Sequence, residues 1–174
     1  MRYIALSKYI DSHYPNGEIE FMTSIELDYR LEQDCIRLGT IDDNLLLLMN
    51  NSLIPWLIIV PSDTLDNSLD NSTDNVIVEF DLLPTEQQID LLKQINQLSA
   101  FLRKYFPIDK INIGSIGNVV SQLHLHIVGR STKDYCWPDV VWGNNKQLPW
   151  EEQRLTELIE KLESFIPDSF QKHQ

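Results

Sequence analysis

Cations are in short supply in this 174-residue chain, where 14 Lys and Arg face 26 Asp and Glu for a formal charge of −12. A surface of that sign repels polyanions, which argues against a nucleic-acid backbone or an anionic membrane as the main partner. It does not exclude a small phosphorylated ligand held by local amides and imidazoles. Cysteine is scarcer still: Cys35 and Cys136 stand alone, with no CxxC or zinc-ligand spacing, as expected of free thiols in a reducing cytosol. Long apolar runs are missing as well. The opening Met1–Lys8 lacks the hydrophobic core of a signal peptide, and no apolar stretch is long enough to span a bilayer, so a cytoplasmic protein is expected.

At this length one domain can bury a substantial core without metal or disulfide support, and 43% hydrophobic content is ordinary for a globular chain. Strands are expected at Ile36 to Ile41, Leu45 to Met49 and Trp56 to Val60, the last two joined as an antiparallel hairpin through the turn-rich Asn50 to Pro55. Residues 62–75 carry a biased Leu-Asp-Asn-Ser repeat. Its aspartates do not have the spacing of an EF-hand loop and no closing glutamate follows, so a surface insertion is expected rather than a calcium site. Val76 to Phe80 reads as a short strand or an extended approach to the next helix.

Thr85 and Gln88 form a capping-box pattern, after which Ile89, Leu92, Ile95, Leu98, Leu102 and Tyr105 recur at helical spacing to about Phe106. Lys110 to Ser115 and Leu123 to Gly129 supply two more strands. A last helix begins near Pro149, aligns Leu155, Leu158, Ile159, Leu162 and Ile166, and ends before Pro167. The whole predicts an α+β domain: an antiparallel β-sheet packed with helices mainly on one face.

The most informative stretch is Gln122-Leu123-His124-Leu125-His126-Ile127-Val128. Strand periodicity sends Gln122, His124 and His126 to one face and Leu123, Leu125 and Ile127 to the other. Side chains two apart on a strand are separated by roughly 6.6 Å at the backbone, so both rings reach a single phosphate or metal ion. Upstream, Gly114 and Gly117 let the chain turn sharply and bring amides near Asn118 and Val119 toward an anion. Three readings of the histidine pair stand side by side: metal ligation, phosphate chemistry and a structural pair. A cupin-like metal site wants a carboxylate a few residues later, and the first after His126 is Asp134, beyond a basic turn.

Asn112, the Gly117-Asn118-Val119 loop and the His124/His126 strand together resemble the histidine triad (HIT) family of nucleotide hydrolases and transferases, whose pattern is His-φ-His-φ-His-φ-φ with φ apolar. Leu47-Leu48-Met49-Asn50-Asn51, Pro55 to Pro61, and Cys136-Trp137-Pro138-Asp139-Val140-Val141-Trp142-Gly143 resemble a bacterial subgroup with Gln in place of the first histidine. The resemblance spans residues 24–143, leaving 1–23 as an N-terminal extension, with Met22 an alternative start, and 144–174 as a C-terminal helix and tail. It implies His124 as nucleophile, His126 as a hydrogen-bonding partner of the phosphate or bridging oxygen, and Gln122 in an orienting role without a titratable charge. Asn118 and Val119 would stabilise the phosphate, and Asn112 and Asn50 the ribose or phosphate region. The implied substrates are nucleoside phosphates, dinucleoside polyphosphates such as diadenosine polyphosphates, or nucleoside phosphoramidates. The opposing hypothesis is a nucleotide-binding or structural protein with little turnover. No cofactor or metal is implied.

Trp137, Trp142 and Trp150 follow the site strand, where base stacking, core packing and a subunit contact are the alternatives. His13 and His173 lie outside the resemblance and read as surface residues. A homodimer is expected, since the family resemblance implies two protomers and the helix from Thr85 carries Leu91, Phe101 and Phe106 beyond a single stripe.

Overall fold

The computed structural model describes residues 27–62 and 78–173. The N-terminal extension with His13 and Met22, most of the 62–75 insertion and the start of the Val76 to Phe80 segment lie outside the described residues. In chain order the elements are α1 (Tyr29–Asp34), β1 (Cys35–Ile41), β2 (Asn44–Met49), β3 (Trp56–Val60), α2 (Thr85–Tyr105), β4 (Lys110–Gly114), β5 (Leu125–Arg130), α3 (Glu152–Phe165) and β6 (Phe170–Lys172). A 3-10 turn at Phe80–Leu82 precedes α2. The six strands form one sheet in the order β4-β5-β3-β2-β1-β6, with every neighbouring pair antiparallel. This is the α+β architecture expected.

Both faces of the central strands are buried, which explains why β2 and β3 read as unbroken apolar runs rather than as alternating ones. Leu46, Leu48, Leu57, Ile59, Leu125 and Ile127 join Leu91, Ile95, Leu98 and Phe101 of α2 and Leu158 and Leu162 of α3 in one cluster. Leu45, Leu47, Trp56, Ile58, Val60 and Val128 face the other way, into a second cluster with Leu31 of α1, Val120, Cys136 and Val141. The helices α2 and α3 thus cover one face, and α1 with irregular chain covers the other. That second face carries the histidines.

Several expectations are corrected at the level of detail. The helix α2 is capped by Pro84 with no side-chain cap, and Gln88 Nε2 donates to the Leu83 carbonyl, so Thr85 and Gln88 do not form a capping box. Its buried stripe runs Leu91, Ile95, Leu98, Phe101 and Leu102, while Ile89 and Leu92 are exposed. Leu91 and Phe101 are buried within the chain itself, with Phe101 against Phe165 of α3 at 5.7 Å between ring centroids, so they do not call for a partner subunit. Helix α1 and strand β6 lack any strong sequence period and were not expected. Strand β6 pairs with β1, and there Gly39 is required: its φ is +152° and a Cβ would lie 2.0 Å from the Gln171 carbonyl oxygen.

Candidate active site

Strand β5 lies between β3 and β4, with Ile58 opposite His126 on one side and Gly114 opposite it on the other. The strand starts at Leu125 rather than at the expected Leu123, so His126 lies in β5 and His124 one residue before it; the two rings still meet, their centroids 4.8 Å apart and nearly perpendicular. Both are buried, at 5% and 4% exposure, which makes their hydrogen bonds decisive because water is not there to substitute.

Each ring has one nitrogen assigned by its partner. His124 Nδ1 lies 2.7 Å from the backbone carbonyl of Gln122, an acceptor, so Nδ1 carries the proton and Nε2 keeps the lone pair. For His126 the polarity is reversed. Trp56 Nε1 donates to its Nδ1 at 2.9 Å, so the proton sits on Nε2. Burial, reinforced by the neighbouring His124, pushes the His126 pKa down to about 3, which keeps this ring neutral at physiological pH. One imidazole therefore offers a lone pair and the other an N–H.

Aromatic walls fix the second ring. Trp56 and Trp142 meet His126 edge-on at 5.4 and 5.5 Å between centroids, and each other at 5.8 Å. Gly114 leaves room for this wall, since a Cβ there would be 3.1 Å from the Trp142 ring. The indole N–H of Trp142 is buried without a hydrogen-bond partner among the described residues. The other two tryptophans serve elsewhere: Trp137 lies over the Arg130 guanidinium, and Trp150 donates through Nε1 to the Met49 carbonyl.

The Gly117-Asn118-Val119 loop is exposed, with Val119 73% accessible, and its Val119 carbonyl accepts from Arg30 of α1. Gln122 is tied to the same helix, for its Oε1 accepts the Asp28 amide at 2.9 Å. Asp28 in turn pairs with Arg30, whose hydrogen bonds, aided by the nearby His124, bring the Asp28 pKa down to about 2. Asp28 and Arg30 are site neighbours that sequence reasoning missed, and no local period marks them.

Asn112 lies opposite Val128 on the histidine face, two residues along from His126, and its Oδ1 accepts from Arg130 at 2.9 Å. That arginine is 1% exposed and ion-paired with Asp134 at 2.8 Å, a buried brace behind the site. Asn50 is placed differently. It follows β2 at the end remote from His124, roughly 16 Å along the strands, and its Oδ1 accepts the Trp150 amide at 3.1 Å. The structure does not bring Asn50 to the histidines, because the hairpin carries it toward the C-terminal strap. Among the described residues no three His, Cys, Asp or Glu side chains gather as metal ligands, and no helix is long and apolar enough to cross a membrane.

An antiparallel sheet presenting a lone-pair imidazole beside a neutral N–H imidazole, next to an exposed glycine-bearing loop, defines a class of α+β protein whose paired histidines are chemically able to supply a nucleophile and a hydrogen-bond donor. The comparisons give that class its family. The HIT domain matches residues 30–133, and the chain belongs to the HIT family, which generally acts on nucleotides. A histidine triad (HIT) protein from Sinorhizobium meliloti 1021 is similar at 37% identity and TM-score 0.71, over 82% of this chain and 98% of that one. Histidine triad proteins from Marinobacter aquaeolei VT8 (34%, TM-score 0.71, 83% and 98% covered) and Bradyrhizobium japonicum (32%, 0.70, 81% and 97%) are similar as well. No curated protein matches the sequence.

Proposed function

We propose that the protein is a nucleotide phosphate hydrolase or nucleotidyltransferase that works through a nucleotidyl-histidine, with dinucleoside polyphosphates among its substrates. The observation that carries this reading is the His124 Nδ1 bond to the Gln122 carbonyl, which leaves Nε2 as an oriented nucleophile. Nε2 attacks the α-phosphorus, an N–P bond forms, and the P–O bond to the leaving group breaks with its electron pair. His126 Nε2–H, fixed by Trp56, donates to a phosphate or bridging oxygen. Amides of the 117–119 loop and the Asn118 side chain stabilise the non-bridging oxygens. Water or another acceptor then attacks phosphorus, the N–P bond breaks, and His124 is regenerated.

Gln122 occupies an orienting position here: its side chain is anchored by the Asp28 amide and its carbonyl holds the nucleophile. Two further proposals accompany the reading. A cytoplasmic setting is supported by Cys35 and Cys136 both being free thiols. A homodimer is supported by β4, an edge strand carrying the exposed Ile113.

The test is mass spectrometry after incubation with a dinucleoside polyphosphate and denaturation at alkaline pH, which preserves the acid-labile N–P bond. The wild type should carry one nucleotidyl group on His124, and His124→Ala should carry none while losing about a thousandfold or more in turnover. Turnover by the variant equal to that of the wild type overturns the assignment.

A further inference from the structure

Arg30 is joined to the site at two points. Its Nε donates to Asp28 Oδ1 at 2.9 Å, one terminal nitrogen to Asp28 Oδ2 at 2.7 Å, and the other to the Val119 carbonyl. A guanidinium has five N–H donors, so two remain without an acceptor among the described residues, on a side chain that is 34% exposed. The carboxylate that holds Arg30 belongs to Asp28, whose own amide is bonded to Gln122, whose carbonyl holds His124. A continuous hydrogen-bonded path thus runs from the guanidinium to the nucleophile.

We propose that Arg30 is a phosphate-contacting residue of this site, held against the 117–119 loop by Asp28 so that its two remaining donors take the outer phosphoryl groups of a nucleoside polyphosphate. The inference rests on the nucleotide reading above and names which part of the nucleotide is bound. Its physical ground is charge. A chain of formal charge −12 repels a polyphosphate, and local binding needs a cation at the loop that the anion approaches. Arg30, whose charge Asp28 partly offsets, meets that need chiefly as a preorganised fork of N–H donors, because the Asp28 contact fixes its rotamer before the ligand arrives and little side-chain entropy remains to be lost. Asp28 is the positioning residue, acting on phosphate only through Arg30.

Titration calorimetry on the full chain with adenosine monophosphate and a nonhydrolysable adenosine triphosphate tests the assignment. The wild type should bind the triphosphate more tightly than the monophosphate. Arg30→Met should remove that preference, a loss of roughly tenfold or more for the triphosphate, with monophosphate affinity unchanged. Arg30→Gln, which retains donors for Val119 without the charge, should behave likewise, and Arg30→Lys should recover part of the preference. Preserved preference in both neutral variants overturns the proposal, as does an equal loss for both ligands, which would mark a purely structural latch. A wild type that binds neither nucleotide overturns the nucleotide reading itself, and is told apart because it fails before any substitution is made.

Discussion

Among the described residues His126 sits in an environment far from that of a free side chain, and its linkage to folding can be worked through. Its imidazole is 4% exposed and its pKa falls from the ordinary 6.5 to about 3 in the folded chain. The unfolded chain therefore binds a proton below pH 6.5 that the folded chain refuses until about pH 3. Stability from this group is complete above the unfolded value and is lost as pH falls through the window between the two. Integrating the proton uptake from pH 7 to 5 gives a loss of about 2 kcal/mol from His126 alone. The informative perturbation is His126→Asn, which does not titrate and retains a side-chain oxygen to accept from Trp56 Nε1. Urea unfolding of both proteins at several pH values between 5 and 7 isolates the term. The wild type should lose about 2 kcal/mol more than the variant over that range, whatever their difference at pH 7. Parallel profiles would show that the buried ring is not held neutral, and the tautomer assigned from Trp56 would lose its support.

Arg130→Met leaves the Asp134 carboxylate buried without its counter-charge, and by thermal or chemical unfolding should cost about 3–5 kcal/mol. Gly39→Ala drives a Cβ into the Gln171 carbonyl, and should separate β6 from β1 with a loss of about 2–4 kcal/mol, read as lost amide-exchange protection at His173 and Asp42, whose amides bond the Leu38 and Ser169 carbonyls. Burial, with Asp34 nearby, pushes the Cys35 thiol up to about 12, so it should resist alkylation in the native protein at pH 8 and react on unfolding. Replacing Gln122 by His should preserve nucleotide binding, since an imidazole nitrogen can still accept the Asp28 amide; loss of binding measured by calorimetry would place Gln122 in a differently built pocket.

Alternation along residues 122–128 was enough to place both histidines on one face, because a strand's period of two is a local property of the backbone. The same locality made β3 and the extent of α2 legible, and the resemblance carried by Asn112, Gly117-Asn118-Val119 and the His-x-His strand named the family that the HIT-domain match bears out. Local pattern could not say which stripe of α2 is buried, since that depends on how the helix seats on β5 of the sheet, nor find the three-residue β6, whose pairing depends on β1 arriving beside it. The site divides along the same line. His124 takes its tautomer from a carbonyl two residues away, whereas His126 takes its own from Trp56, 70 positions distant, and Gln122 is anchored by Asp28, 94 positions distant. Asn50 shows the converse, a residue whose type suits the site and whose strand delivers it to the opposite end of the sheet. Residue type and spacing thus determined which groups carry chemistry, and strand order and register decided which of them meet and which nitrogen of each ring bears the proton, because hydrogen-bond partners are assigned by proximity in space rather than along the chain.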